Sequence, residues 1–297
     1  MKQINVTKNK GKYLLIPIII IIAGIIMYFV QGFNFDIEFM GGIKMQVNMG
    51  APFNNEEVAS YLEEKTGITP IIVQTIGDGT QASIKTQPIE EDEKNGIISA
   101  LKEQYQVTDD GISSSSASPS FGLKVQQKTL IFTIIAILCI LAYIALRFEW
   151  RSAITAILAL IINIFIMMSV YLISYTPLNT TFIAAMLTVI GYSINNTIVV
   201  FDRIRENLRF YSKKASIAEI VNGSVNQTLA RSINTSVTTL LTLLALYFFG
   251  GVTTRDFVFA MILGILIGTY SSIFFASTIL VWYKEKHQKG KTVAKAE

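Results

Sequence analysis

The sequence predicts an α-helical polytopic membrane protein with six transmembrane helices and a small α+β domain between the first and second of them. Of the 297 residues, 51% are apolar and only 15% are charged, a composition that excludes an ordinary soluble globule. Six stretches approach or exceed the roughly 18–20 apolar residues that cross a bilayer. One long segment of mixed composition separates the first stretch from the second.

The six apolar stretches give the predicted transmembrane helices. They cover residues 13–30, 129–146, 152–174, 182–201, 233–249 and 257–282. None of these spans contains Asp, Glu, Lys or Arg, so their polar content is amide and hydroxyl. The chain therefore divides into four parts, which are the N-terminal tail with the first helix (1–30), an α+β domain (31–124), a five-helix transmembrane domain (125–282) and a basic tail (283–297).

The first stretch is similar to a signal peptide, because Lys8, Lys10 and Lys12 precede an isoleucine-rich run. Residues 29–32, which follow that run, contain no small-x-small cleavage site, and the run is long enough to span a bilayer. We therefore expect an uncleaved signal anchor. A signal peptide that is removed is the alternative.

Lysine and arginine in the short loops predict the orientation. They are concentrated in the N-terminal tail, in the loops after the second and fourth spans, and in the C-terminal tail, whereas the loops 175–181 and 250–256 contain only Arg255. Both termini are therefore expected in the cytoplasm, and residues 31–124 outside. Since the net charge of +4 reflects this asymmetry, it does not indicate binding to nucleic acid.

The extracytoplasmic segment has its own secondary-structure pattern. A strand at 43–49 is followed by a helix at 55–66 that Asn54 caps. Strands at 70–76 and 82–87, joined by a turn at 77–79, form a hairpin, and a helix at 90–106 precedes a last strand at 107–116. The order β-α-β-β-α-β is typical of a ferredoxin-like domain.

Two connections between this domain and the membrane helices are expected to act as hinges. The first is the segment 113–120, which is rich in serine and contains Pro119. The second is residues 31–33, directly after the first span. Such segments favour turns over regular structure.

Four asparagines lie within the apolar spans, at Asn163, Asn195, Asn196 and Asn234. An amide in hydrocarbon costs free energy unless another group satisfies it. We therefore expect Asn195 and Asn196 to face other helices or a polar path. Asn195 shares a helical stripe with Gly191, while Asn196 shares the adjacent stripe with Tyr192. Ordinary hydrogen bonding between helices remains the alternative.

Arg231 is the cation closest to the fifth span. If that helix begins near residue 227, Arg231 is a first-turn charge that reaches into the bundle, and otherwise it is an interfacial arginine. The charged run at 202–206 favours a helix end held by salt bridges.

Small residues predict a close contact of the sixth helix with a neighbour. Gly264 and Gly268, with Ser271 and Ser272 further along, form one small face. The pair Gly250-Gly251 marks the turn before that helix.

No catalytic triad, phosphate-binding loop or Cys/His cluster is present in the sequence. With Cys139 as the only cysteine, an internal disulfide is impossible. We therefore expect no enzyme activity, no cofactor and no metal site.

An ordered series of motifs resembles the SecF family, the six-span subunit that works with SecD beside the bacterial Sec channel, within the resistance-nodulation-division superfamily. The resemblance covers nearly the whole chain. Its motifs are Glu38-Phe39-Met40-Gly41-Gly42, Pro119-Ser120-Phe121-Gly122, Arg147-Phe148-Glu149-Trp150-Arg151, the run 190–207 with Ile190-Gly191-Tyr192 at its start and Asp202-Arg203-Ile204-Arg205-Glu206 near its end, Gln227-Thr228-Leu229-Ala230-Arg231-Ser232, Phe249-Gly250-Gly251 and Gly268-Thr269-Tyr270-Ser271-Ser272.

The resemblance implies an accessory subunit of the Sec translocase in the bacterial cytoplasmic membrane that couples an ion-motive force to late steps of polypeptide export. The implied partners are a SecD-like subunit, a SecYEG-type channel, the translocating polypeptide and membrane lipids. A scaffold without coupling, or a small-solute exporter of the same superfamily, is the alternative function.

The chain departs from the family pattern at the positions where the family carries an acid. It has Asn196 where the family usually has Asp after Asn, and Ile162-Asn163 where the family usually has His-Asp. The family's proton-coupling Asp, partnered by an arginine at the place of Arg231, is therefore missing here, and an amide does not exchange protons near neutral pH. We favour a titratable group in the SecD-like partner. Sodium bound by amide oxygens, or a purely structural role, remains open.

Overall fold

The computed structural model describes residues 5–8, 10–76, 79–211 and 215–293. It contains two compact units. The sheet unit consists of residues 35–131, and the helical unit consists of the described residues among 1–34 and 132–297.

The sheet unit contains four antiparallel strands in the order β2-β3-β1-β4. Its elements are α2 (Ile37–Met40), β1 (Gly42–Asn48), α3 (Asn55–Thr66), β2 (Ile72–Ile76), β3 (Gln81–Thr86), α4 (Glu91–Tyr105) and β4 (Ile112–Ala117). From β1 onwards this is the element order predicted from the sequence. Of the predicted hairpin turn, Gly77 and Asp78 lie outside the described residues.

Apolar side chains at every second position of β1 form part of the core of the sheet unit. Ile43, Met45 and Val47 are buried on one face and pack in one cluster with residues of α3 and α4 such as Leu62 and Leu101. Burial of such side chains stabilises the unit by about 1.5–3 kcal/mol each. The helix boundaries follow their caps, since Asn54 accepts a hydrogen bond from the Glu56 N–H at 2.9 Å as predicted.

Regular structure covers part of both expected hinges, although turns were expected there, and their role as hinges stays a prediction. Residues Ser113–Ser116 pair with β1 as part of β4, because small hydroxyl side chains fit an edge strand, and Pro119 begins a helix. On the other connection, Gln31 is the last residue of α1 (Lys10–Gln31), and its amide donates to Leu172 O at 2.5 Å.

Six helices in the described part of the chain are long and apolar enough to cross a membrane, which confirms the six predicted spans. They are α1, α5 (Pro119–Arg147), α6 (Trp150–Ile173), α7 (Thr180–Tyr211), α8 (Ile217–Phe249), and a last continuous helix made of α9 (Val252–Tyr270), the π-helical segment Ser271–Phe275 and α10 (Ala276–Val293).

The helices α7 and α8 extend well beyond the apolar runs that predicted them. Helix α8 begins at Ile217 because Ser216 and Glu219 form a capping box there. The first turns of α8 are polar, and one side of them is buried against α7. There Ser224 Oγ accepts a hydrogen bond from Asn207 Nδ2 at 2.8 Å. Apolar length alone therefore underestimates these two helices.

Glycine allows α7 and α9 to approach closely, as the small face of the sixth helix predicted. A Cβ atom on Gly264 would lie 2.4 Å from Val189 Cγ2, and one on Gly268 would lie 3.1 Å from Ser193 Cβ. Gly250 and Gly251 separate α8 from α9. The close approach brings the polar side chains of three helices into contact.

Candidate functional site

The polar residues of α7 divide between a buried and an exposed face. Asn196 is 3% exposed, with Ser193 and Thr197 buried beside it, whereas Asn195 is exposed, as is Gly191 on the same stripe. Asn196 therefore faces other helices of this chain, whereas Asn195 faces none of them, and for Asn195 a contact with other helices or a polar path stays a prediction. The reason is that adjacent helical residues point about 100° apart.

Hydrogen bonds join the buried face of α7 to α6 and to the π-helical segment. Asn163 Nδ2 donates to Ser193 Oγ at 2.8 Å. Ser272 Oγ donates to Ser193 O at 3.1 Å and lies 2.9 Å from Thr197 Oγ1. A π-helical turn within a long helix is frequently found at functional sites.

A second set of hydrogen bonds joins α7 to α8 and α9. Tyr192 OH donates to Ser236 Oγ at 3.1 Å, and Ser236 Oγ lies 2.7 Å from Thr269 Oγ1. With Asn196 and Ser232, these groups lie near the middle of the helices. We call the whole set the polar layer, and its members are Asn163, Tyr192, Ser193, Asn196, Thr197, Ser232, Ser236, Thr269, Ser271 and Ser272.

Four atoms of the polar layer find no hydrogen-bond partner among the described residues. They are Asn163 Oδ1, Asn196 Nδ2, Ser232 Oγ and Ser271 Oγ. Each buried polar atom left without a partner costs about 1–3 kcal/mol. The layer is therefore a neutral polar centre with unused hydrogen-bonding capacity. Sequence analysis named only its asparagines as candidates, since a serine in a span usually bonds its own helix.

Arg231 does not lie in this layer. Because α8 begins at Ile217, Arg231 is in the middle of a helix and not in its first turn, so the first-turn prediction is wrong. The side chain is exposed. It lines an open pocket of about 520 Å³ together with Asp202, Arg203 and Glu206 of α7.

The charges at this pocket are paired as the sequence predicted. Arg203 lies 2.7 Å from Glu206, and Arg205 lies 3.4 Å from Asp202, which also pairs with Arg147 of α5. The expectation that they mark a helix end is wrong, because α7 continues to Tyr211. The first charged residue of the pocket, Asp202, lies nearly two turns along α7 from Asn196, so a charged site follows the neutral one on the same helix.

The glycines of the first family motif permit close backbone contacts in the sheet unit. Glu38 and Phe39 lie in α2. Gly41 and Gly42 have φ angles of +77° and +121°, which favour glycine. A Cβ atom on Gly42 would also lie 2.2 Å from Thr86 O. This motif is structural in the sense that another residue type would displace β3.

One buried charged cluster in the sheet unit was not predicted from the sequence. Asp36 accepts a hydrogen bond from Lys44 at 2.9 Å and lies 3.5 Å from Lys85 Nζ. The two lysines lie on different strands, so no local spacing connects them with Asp36. Among the residues that the structure describes, no three His, Cys, Asp or Glu side chains come together as metal ligands would.

Comparison with known proteins decides the family. A family model described as protein export membrane protein SecD/SecF, C-terminal, matches residues 97–286. The SecF of Dictyoglomus turgidum is 34% identical over 287 residues, which cover 96% of this chain and 98% of the relative. The chain belongs to the SecF family. Since such relatives are named protein translocase subunits, the SecF-family assignment places the chain in protein transport, with an accessory role in a Sec translocase.

Further relatives support the same family assignment. The SecF of Vibrio alginolyticus is 36% identical over 266 residues, covering 88% of this chain and 84% of the relative. The SecDF of Thermus thermophilus is 34% identical over 279 residues, covering 92% of this chain and 37% of the relative. This SecDF relative indicates a SecD-like partner for the chain.

The crystal structure of the Thermus SecDF, described as a translocon-associated membrane protein, superposes with a TM-score of 0.85 at 31% identity. The match covers 95% of this chain and 39% of that one. A SecDF structure in a super-membrane-facing form gives a TM-score of 0.69, with 99% and 40% covered. The chain therefore spans about two fifths of the SecDF chains that it matches.

Proposed function

We propose that the chain is a non-enzymatic subunit of the Sec translocase that, paired with a SecD-like subunit, couples an ion-motive force to late steps of polypeptide export. The observation that carries the coupling role is the buried polar layer beside a charged pocket in the middle of the helical unit. Polar groups within membrane helices are expensive and mark ion pathways. One charge that crosses about 100 mV releases about 2.3 kcal/mol.

The titratable group of this pathway comes from the SecD-like partner. Asn163 and Asn196 occupy the middle of the layer, and neither amide binds or releases a proton near neutral pH. Asn195 and Gly191 present an exposed polar stripe on α7, which would be costly against lipid. We assign this stripe to the contact with the partner's helices.

The topology that we propose places both termini in the cytoplasm and the sheet unit outside the bacterial cytoplasmic membrane. The distribution of lysine and arginine supports this orientation. The sheet order β2-β3-β1-β4 supports a ferredoxin-like domain there, residues 31–124 in the division made from the sequence. A SecYEG-type channel, the emerging polypeptide and the surrounding lipids are the further partners in this proposal.

A scaffold that stabilises the translocase without coupling is the second candidate. The neutral character of the polar layer favours it, because none of the described side chains that form the layer is an acid that could follow an ion gradient. A small-solute exporter is disfavoured, since one small α+β domain offers little surface for collecting solutes.

Substitution of Arg231 distinguishes the coupled subunit from the scaffold. In vesicles containing the chain and its SecD-like partner, Arg231→Gln is expected to lower ion-dependent export about tenfold, the equivalent of about 1.4 kcal/mol, because it removes a positive charge from the pocket that Asp202 and Glu206 also line. Arg209→Gln is the matched control, because Arg209 is an exposed arginine like Arg231 but lies on α7. This variant should export normally. Unchanged ion-dependent export by Arg231→Gln would favour the scaffold.

A further inference from the structure

We propose that the side of the polar layer that faces α6 binds one sodium ion, with Asn163 Oδ1 and Ser271 Oγ among its ligands. This inference rests on the proposed coupling function and names an ion that the layer of this chain binds, in addition to the titratable group that the SecD-like partner supplies. It starts from two oxygens in residues that are each 1% exposed. Neither oxygen has a hydrogen-bond partner within the described ranges.

The neighbours of Ser271 fix the side of the helix on which it lies. The Tyr270 hydroxyl donates to Tyr13 O of α1 at 3.0 Å, and Ser272 bonds α7. Thr269, one residue before Tyr270, bonds α8. Because successive helical residues point about 100° apart, Ser271 lies between the α1 side and the α7 side, on the face opposite to α8.

Helix α6 occupies that face. It packs against α1, against α7 and against the π-helical segment. Asn163 lies on α6 with its Nδ2 bonded to Ser193 Oγ, while Ser193 O accepts the hydrogen bond from Ser272. Through Ser193, Asn163 and Ser271 therefore lie at the same level of the bundle and on neighbouring elements.

The chemistry of these groups selects a monovalent metal ion. Amide and hydroxyl oxygens do not titrate near neutral pH, so they offer no site for a coupling proton. Magnesium and calcium are usually bound through carboxylates, and the polar layer contains none. A sodium ion carries one charge and is bound in membrane transporters by neutral oxygens where a helix departs from α geometry. The segment Ser271–Phe275 is such a departure.

Sodium binding is measured on the chain purified together with its SecD-like partner. Thermal unfolding is followed while sodium chloride replaces choline chloride at constant ionic strength. A ligand that binds only the folded state raises its stability, so the unfolding midpoint should rise with sodium and saturate. A midpoint that is the same in sodium and in choline would overturn the inference and leave water as the partner of these oxygens.

Two variants locate the site. Asn163→Leu keeps the side-chain volume but removes the ligand oxygen, and it should weaken sodium binding about tenfold or more, the equivalent of about 1.4 kcal/mol per tenfold. Ser271→Ala removes a smaller group and should weaken binding by a smaller factor, so it remains informative if Asn163→Leu fails to fold. Thr242→Val is the control, because Thr242 is exposed and its hydroxyl donates to its own helix at Thr238 O.

The outcomes separate this inference from the proposed function. If both variants bind sodium as tightly as the unsubstituted chain, the assignment of the ligands is wrong. If ion-dependent export persists while sodium binding is absent, the sodium inference fails and the coupling function stands. If sodium binds at the layer but the complex does not stimulate export, the coupling function fails and the site stands.

Discussion

The two units bury polar groups in opposite ways. In the sheet unit, Asp36 and Lys85 are 3% and 1% exposed, and with Lys44 they form a cluster in which opposite charges meet. In the helical unit, the polar layer carries no charge, and four of its atoms are unpaired among the described residues. The sheet unit thus pairs its buried charges internally, whereas the helical unit keeps buried groups that a ligand can still use.

Electrostatics explain why the charged cluster stays charged. Burial by itself raises the pKa of Asp36, but Lys85, Lys44 and the Ile37 N–H outweigh burial and hold that pKa below its ordinary value of 3.8.

A charge in a membrane helix costs about 2.5–3.5 kcal/mol on insertion scales. Amides and hydroxyls avoid that cost, at the expense of weaker hydrogen bonds.

The largest effect is expected from Asp36→Asn, which removes the buried carboxylate that Lys44 and Lys85 contact. Breaking one side of a buried ion pair costs about 3–5 kcal/mol. Hydrogen exchange at the amides of β1 and β3 in the full chain measures this loss. Adding Lys85→Met to Asp36→Asn should recover part of it, while Asp110→Asn, at an exposed carboxylate, should change protection little. Equal protection in Asp36→Asn and the unsubstituted chain would show that the cluster does not stabilise the sheet unit.

A smaller effect is expected from Gly264→Ala, which disturbs the close packing of α7 on α9. The new Cβ would lie 2.4 Å from Val189 Cγ2, and such overpacking costs about 1–3 kcal/mol. The unfolding midpoint in detergent should fall. Gly223→Ala is the control, because a Cβ there meets nothing within 4 Å, and alanine favours the helix by up to about 1 kcal/mol. A midpoint that did not fall in Gly264→Ala would mean that the polar layer tolerates a wider spacing.

The smallest effect is the dependence of the sheet unit on acid. Because the folded pKa of Asp36 is lowered, its contribution is fully present above the ordinary carboxyl pKa and is lost as the pH falls through the folded value. The protection factors for hydrogen exchange in β1 and β3, which correct for the pH dependence of the intrinsic exchange rate, should therefore change little between about pH 7 and pH 5, well above the carboxyl pKa range, and should fall only in stronger acid. Asp36→Asn should lack the part of this dependence that Asp36 causes. An identical pH profile in that variant would assign the acid sensitivity to other carboxylates.

Several features followed directly from local sequence. Apolar length predicted six membrane helices, and period-two and helical spacing predicted the strands and helices of the sheet unit, including the Asn54 cap. Gly264 and Gly268 predicted close packing, because small residues on one face of a membrane helix let a neighbouring helix approach closely. These predictions succeeded since each depends on residues a few positions apart.

Other features required the folded chain. The length of α8 depends on a capping box outside the apolar run, so the place of Arg231 was predicted incorrectly. Residues 113–116 were predicted both as part of the last strand and as part of a hinge, and pairing with β1 shows that they belong to the strand. Asn195 and Asn196 are chemically identical neighbours, and packing against α8 and α9 decides which of them is buried.

By itself, the sequence determined how many helices can enter a membrane, where the α+β domain interrupts them, and that the membrane helices carry amides instead of acids. Only the tertiary structure decided which amides and hydroxyls meet, which atoms among them lack partners, and that Asp36 lies between two lysines of different strands. The physical reason is the distance along the chain over which each kind of interaction acts. Hydrophobic length and spacing act along the chain, whereas hydrogen bonds and ion pairs form between residues that folding brings together from distant positions.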